Sequence, residues 1–300
     1  MLPSAEEAPG LVPRPGSPVW ELAGDARLYA TSGYALLLQV SHPTVGAGVT
    51  EHSDFKADPY GRLLRTLDYT YSMTYGGPRL ASEVGRRVRE MHRQIKGTKP
   101  NGERYHALEP EAYAWVHATL ADAIITGHRH FGLRLSRSEI ESFWDEWRRS
   151  GRLVGVRERD LPEHWSGFRA YFDRMVAERL EDNAAVRDVL VALAKPAPPP
   201  LPVLGGRVWE VVRVPLARVF TLATVGLLPP LLRERLGVGW TRAKQLELRA
   251  LGRATRAATP LMPTSLRNTG PSYMRWRSEA IARGDVASGS RPNRALAGAG

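Results

Sequence analysis

Arg62, Arg65, Thr66, Tyr69 and Met73 fall at i, i+3, i+4, i+7 and i+11, so on a helix they form one stripe. It is cationic at one end and apolar at the other. A solvated face would mix in Lys and Glu; this one suits a wall against an amphipathic, anionic ligand. The next helical stretch, "PRLASEVGRRVREMHRQIKG" (78–97), supplies a histidine. Its apolar stripe is Val84, Val88, Met91 and Ile95, and His92 lies on the same side. A lone histidine on an apolar face is most often a core residue bonded to a backbone carbonyl. A ligand role needs a second signal, and the arginine stripe is one. One histidine, an apolar slot and arginines for two carboxylates together match the needs of a haem.

Other chemistries find less support. The chain has no cysteine, which excludes disulfides, thiolate metal sites and cysteine nucleophiles and fits a reducing compartment. No GxSxG, GxxxxGK[ST] or HExxH pattern occurs. His128 and His130 in "GHRH" are two residues apart and share no helical face, which argues against joint metal ligation. The glycines of "VGAGV" (45–49) follow no strand, so a dinucleotide site is weakly supported. His117, mid-helix in "WVHATL", either bonds within the core or approaches a cofactor. Arg86 and Arg89, a helical step before His92, either pair with ligand carboxylates or face water.

The elements that must position these residues are helical. Residues 19–53 predict two helices with a turn near "SHP". Asp58, Pro59 and Gly76-Gly77 bound a helix over 59–75 whose other stripe, Tyr60, Leu63, Leu64, Leu67 and Tyr71, is expected to face the core. Residues 110–132 are apolar on more than one side and predict a central buried helix. Capping boxes at Ser136/Glu139 and Asp160/Glu163 open helices over 137–150 and 162–181, and Asn183 starts one that runs to Ala194. Further helices are expected near 206–222, 229–236, 241–257 and 271–283. Strand-like alternation is missing, so the fold class is all-α. Residues 19–283 form the domain, with a Pro-rich linker at 195–202 before a C-terminal helical subdomain. Segments 1–18 and 284–300 are expected to be disordered tails.

The net charge is +11, but acidic and basic residues interleave without like-charged blocks, so nucleic acid is not an expected partner. The start, "MLPSAEEAPGLVPRPGSPVW", has no basic stretch followed by an apolar run, so no secretory signal is expected. The longest apolar stretch (214–232) is interrupted by Arg218 and Pro229-Pro230, so no integral membrane segment is expected. A cytoplasmic protein is the expectation. Peripheral membrane contact and oligomeric state stay open.

The segments "SHPTVGAGVTEHSDFKADPYGRLLRT", "VREMHRQIKG" and "AYAWVHATLADA" resemble the catalytic domain shared by latex-clearing rubber oxygenases and the mycophenolic-acid-pathway oxygenase, over about residues 20–260. The resemblance implies a globin-like helical core that binds haem b and uses dioxygen as co-substrate, with His92 as the proximal iron ligand. It also implies a distal Arg-x-x-Lys-Thr motif, which here reads Arg62-Leu63-Leu64-Arg65-Thr66. Arginine in place of that lysine cannot deprotonate to ligate iron, so the sixth position is expected open or water-bound. Glu51 is the nearest match to the family's catalytic glutamate, although the spacing differs and a capping role fits equally. His52 is a distal candidate by position.

The implied enzyme is a haem-dependent oxygenase that attacks a carbon–carbon double bond of an apolar isoprenoid or lipid-like small molecule. Arg62 and Thr66 would position a propionate or dioxygen, Tyr69 would give an apolar contact, and Arg65 would stabilise negative charge on reduced dioxygen. Two other functions fit the same residues: a haem carrier or sensor without turnover, and a helical interaction protein without cofactor.

Overall fold

In the computed structural model, residues 2–3, 6–53, 57–132, 134–198 and 206–283 are described. The tail at 284–300 and residues 199–202 of the linker lie outside them. The expected all-α fold is present. The helices are α1 (Pro18–Ala23), α2 (Ser32–Val40), α3 (Pro43–His52), α4 (Pro59–Tyr75), α5 (Gly77–Arg93), α6 (Pro110–Phe131) and α7 (Arg137–Ser150). They continue with α8 (Trp165–Glu178), α9 (Ala184–Ala194), α10 (Gly206–Leu227), α11 (Pro230–Arg235), α12 (Arg242–Ala258), α13 (Thr264–Arg267) and α14 (Thr269–Ala282). Proline at the first or second helical position opens α1, α3, α4, α5, α6 and α11, where its missing N–H is no loss. Asp58 caps α4 by accepting from Gly61 N at 2.8 Å.

α6 is the central helix. Trp115, Ala118, Ala121 and Ile125 are buried on it, and Trp115 Nε1 donates to Leu38 O of α2 at 2.9 Å. Alanines along α6 let α2 approach closely, while large side chains from α7 and α8 (Phe143, Trp144, Phe168, Phe172) fill the remaining core. α5 lies on α4 and on a 3-10 turn, Gly151–Val154. Gly85 permits the second contact, because a Cβ there would collide with the Leu153 carbonyl.

Four expectations need correcting. A small antiparallel hairpin follows α5, β1 (Lys96–Thr98) with β2 (Arg104–His106), pairing Gly97 with Tyr105. Three-residue strands are too short to show alternation, and Gly102 turns the chain at φ 86°. Helix α8 starts at Trp165, and Asp160 does not cap it: Asp160 sits in a 3-10 turn and accepts from Arg157 at 2.6 Å. The start of the chain is not a loose tail throughout, because Ala8, Leu11 and Val12 pack on Ala81 and Leu153. Finally, the apolar stripe of α4 is not all core-facing. Leu63 is 39% exposed, and burial is concentrated in the second half of the helix, at Asp68, Tyr71, Ser72 and Tyr75.

That second half is held by α14. Asp68 Oδ1 accepts from Arg277 Nε at 2.7 Å and from Tyr273 Oη at 2.8 Å, and all three belong to a buried or half-buried junction. Tyr71 Oη and Thr269 Oγ1 add a contact of 2.8 Å. The helix that carries the arginine stripe is therefore clamped at its far end by the C-terminal part of the chain.

Candidate functional site

A cavity of about 670 Å³ opens between α3, α4, α5 and α6, with α2, the end of α7 and the 151–154 turn completing its wall. Arg62, Arg65, Thr66, Tyr69 and Met73 all line it, and His92 lines it from α5. The two stripes read from the sequence thus face one space. Most of the remaining wall is apolar, including Leu36, Val49, Val88, Val116, Leu120 and Leu153. No aspartate or glutamate among the described residues lines it.

His92 has a defined state. Its Nδ1 is 2.7 Å from Val88 O, and a carbonyl can only accept, so Nδ1 carries the proton and Nε2 holds the lone pair. Burial pushes its pKa below the usual histidine range; the Val88 bond opposes this, and the nearby Arg62 guanidinium lowers it further. The ring is therefore neutral near pH 7, and the Tyr113 ring packs edge-on against it at 5.5 Å. A neutral imidazole whose other nitrogen is tied to a backbone carbonyl is how proteins prepare a metal ligand.

The arginines are also positioned. Arg62 Nη1 donates to Ser53 Oγ, and Arg65 Nη1 lies 3.4 Å from the Asp58 carboxylate that caps the same helix. Thr66 Oγ1 donates to Arg62 O at 3.0 Å, which leaves the oxygen lone pairs for a ligand. Arg62→Ala should remove a charge-assisted contact worth on the order of 1.5–3 kcal/mol to any anion bound here. The expected outcome is roughly ten- to hundredfold weaker retention of an anionic cofactor with an unchanged far-ultraviolet circular dichroism spectrum.

His117 lines the cavity from α6 and is locked by α7. Its Nε2 donates to Trp147 O at 2.9 Å, Trp147 Nε1 donates to His117 O at 3.0 Å, and the rings stack with centroids 5.0 Å apart. Burial pushes its pKa down to about 4, with the Trp147 bond opposing. The folded state thus resists a proton that the unfolded chain takes up near pH 6.5. Stability from His117 is full above about pH 6.5 and is lost as pH falls toward 4, by about 3 kcal/mol. His117→Gln should flatten this acid limb, as measured by urea unfolding at neutral and mildly acid pH.

The other sequence candidates divide. His52 lines the cavity, with Nε2 3.2 Å from Lys96 O. Glu51 does not. Its Oε2 accepts from Tyr105 Oη at 2.6 Å, and its Oε1 lies 3.8 Å from His52 Nε2. Arg89 is also outside the wall; it packs over Gly155, whose missing Cβ leaves it room. The glycines of "VGAGV" serve packing: Gly46 meets Val40 O and Asn183, while Gly48 faces the cavity. Tyr113, Gln39 and Trp147 belong to the wall and were not singled out as site residues. For Tyr113 the signal was present, since it lies one helical turn before His117.

Among the described residues, no group of three or more His, Asp or Glu could hold a metal ion by itself. A metal that arrives inside a macrocycle needs only one protein ligand, and the wall fits such a group. It has His92, neutral and with its Nε2 lone pair uncommitted, an apolar slot of suitable volume and two arginines.

The fold is all-α, and its cavity is lined by His52, His92, His117, Arg62, Arg65 and mostly apolar side chains. The chain belongs to the family described as ER-bound oxygenase mpaB/B'/rubber oxygenase, catalytic domain, which matches residues 20–257. The family is one of oxygenase catalytic domains, which puts this chain among oxidoreductases with small-molecule substrates. It is 26% identical over 233 residues to the uncharacterized protein Rv2237 of Mycobacterium tuberculosis and, equally, to Mb2261 of Mycobacterium bovis. Each match covers 76% of this chain and 87% of the relative. No solved structure matches the chain significantly. Among the described residues, no helix is long and apolar enough to cross a membrane.

Proposed function

We propose that the protein is a haem b-dependent oxygenase acting on a carbon–carbon double bond of an apolar isoprenoid or lipid-like molecule. The observation that carries this reading is His92, neutral and with its Nε2 lone pair uncommitted, on the wall of a cavity that also presents Arg62 and Arg65. His92 would hold the iron through Nε2 while Val88 O fixes the ring. Arg62 and Arg65 would pair with the propionates or with charge that develops on dioxygen, and Thr66 would accept a hydrogen bond beside them. The haem, when bound, supplies activation of dioxygen. Val88, Met91, Val116 and Leu120 would hold the apolar substrate and exclude water.

Glu51, held by Tyr105 and 3.8 Å from His52 Nε2, would act on the cavity only through His52. Arg89 likewise supports the 151–154 turn rather than a propionate. The lack of a carboxylate among the described wall residues favours one other reading, a haem carrier or sensor. Oxygen consumption by haem-loaded protein with candidate alkenes separates them. Uptake coupled to cleavage or oxidation of the alkene supports the oxygenase, and tight haem binding without uptake supports the carrier.

A further inference from the structure

Away from the cavity, the outer face of α12 has an unusual composition. Arg242, Leu246, Arg249, Arg253 and Arg256 fall at i, i+4, i+7, i+11 and i+14, forming one exposed stripe along the helix. The helix is fixed inward by buried Leu248 and by Gly252, which sits against the His130 carbonyl at the end of α6; Arg256 turns to the same carbonyl, and Arg242, Arg249 and Arg253 form the outer part of the stripe. None of the four arginines pairs with a carboxylate among the described residues; Arg256 donates only to His130 O, at 2.5 Å. The one acidic residue of the helix, Glu247, is engaged by Arg218 of α10 at 3.0 Å. Immediately after the helix, Leu261 is 85% exposed and Leu266 59%, with Met262 exposed between them.

A solvated helix face would alternate signs, and a nucleic-acid surface would have no use for exposed leucines beside its arginines. Unpaired arginines in a stripe, ending in protruding apolar side chains, complement a surface that is anionic outside and hydrocarbon beneath. We propose that the outer face of α12 and the loop that follows dock on an anionic lipid bilayer, with arginines on the headgroups and Leu261, Met262 and Leu266 inserted among the acyl chains. This surface is independent of the haem site.

The test is co-sedimentation of the full chain with phosphatidylcholine vesicles, with and without roughly one-quarter phosphatidylglycerol, at about 0.1 M salt. Wild type should partition onto the anionic vesicles and be released by high salt. R249E/R253E and L261S/L266S should each weaken partition about tenfold or more while keeping the wild-type unfolding midpoint, which shows that both variants fold. Three results would overturn the proposal: no partition of wild type, equal partition onto pure phosphatidylcholine, or loss on charge reversal with no change in the serine variant. The last would mark a general polyanion surface, such as one for nucleic acid.

Discussion

Replacing His92 with alanine should abolish stoichiometric haem binding, with affinity lower by roughly a hundredfold or more and no normal Soret band. The fold should survive. His92 is half-buried, its side chain's hydrogen bond among the described residues is to Val88 O within its own helix, and α5 keeps Ala81, Val84 and Gly85 packed inward. Unfolding midpoints of variant and wild type should therefore agree within a few degrees in the absence of haem. Added imidazole can occupy the vacated space and should restore part of the Soret absorbance. A variant with full haem content and an unchanged spectrum would remove His92 from the role of ligand.

The second large effect is on stability. Asp68→Ala should strand Arg277, whose guanidinium is almost fully buried against α4, and cost about 3–5 kcal/mol. For a chain of this size the expected drop in Tm is roughly 5–8 °C. Removing both partners, as Asp68→Leu with Arg277→Met, should recover most of the loss, because no uncompensated charge then remains inside. Thermal unfolding of wild type and the two variants checks it. Equal Tm for Asp68→Ala and the double variant would show that the charge is not what costs stability.

Much of the site was legible because helical periodicity maps directly onto faces. The spacing of Arg62, Arg65, Thr66, Tyr69 and Met73 needed no tertiary information to become one wall, and Val88 with His92 needed only the same rule. What periodicity could not supply was the identity of each face's neighbour. Leu63 and Leu64 read as core because they are apolar, yet Leu63 is exposed, and the burial of α4 lies further along, at Asp68, Tyr71, Ser72 and Tyr75, with Asp68 held by α14. Glu51 and His52 both meet the β-hairpin, through Tyr105 and Lys96 O, and only His52 also reaches the cavity wall, which no local pattern encodes. The hairpin itself was hidden because its strands are too short to alternate. Arg89 turned away because a glycine 66 positions later made room for it, a contact that no local pattern encodes.

The most direct measurement is an absorbance titration of the purified protein with ferric haem. Saturation at one haem per chain, with a Soret band that shifts on binding and is lost in His92→Ala, is the expected result. A titration that gives no Soret shift, or uptake without a stoichiometric end point that His92→Ala leaves unchanged, would contradict haem binding in this cavity.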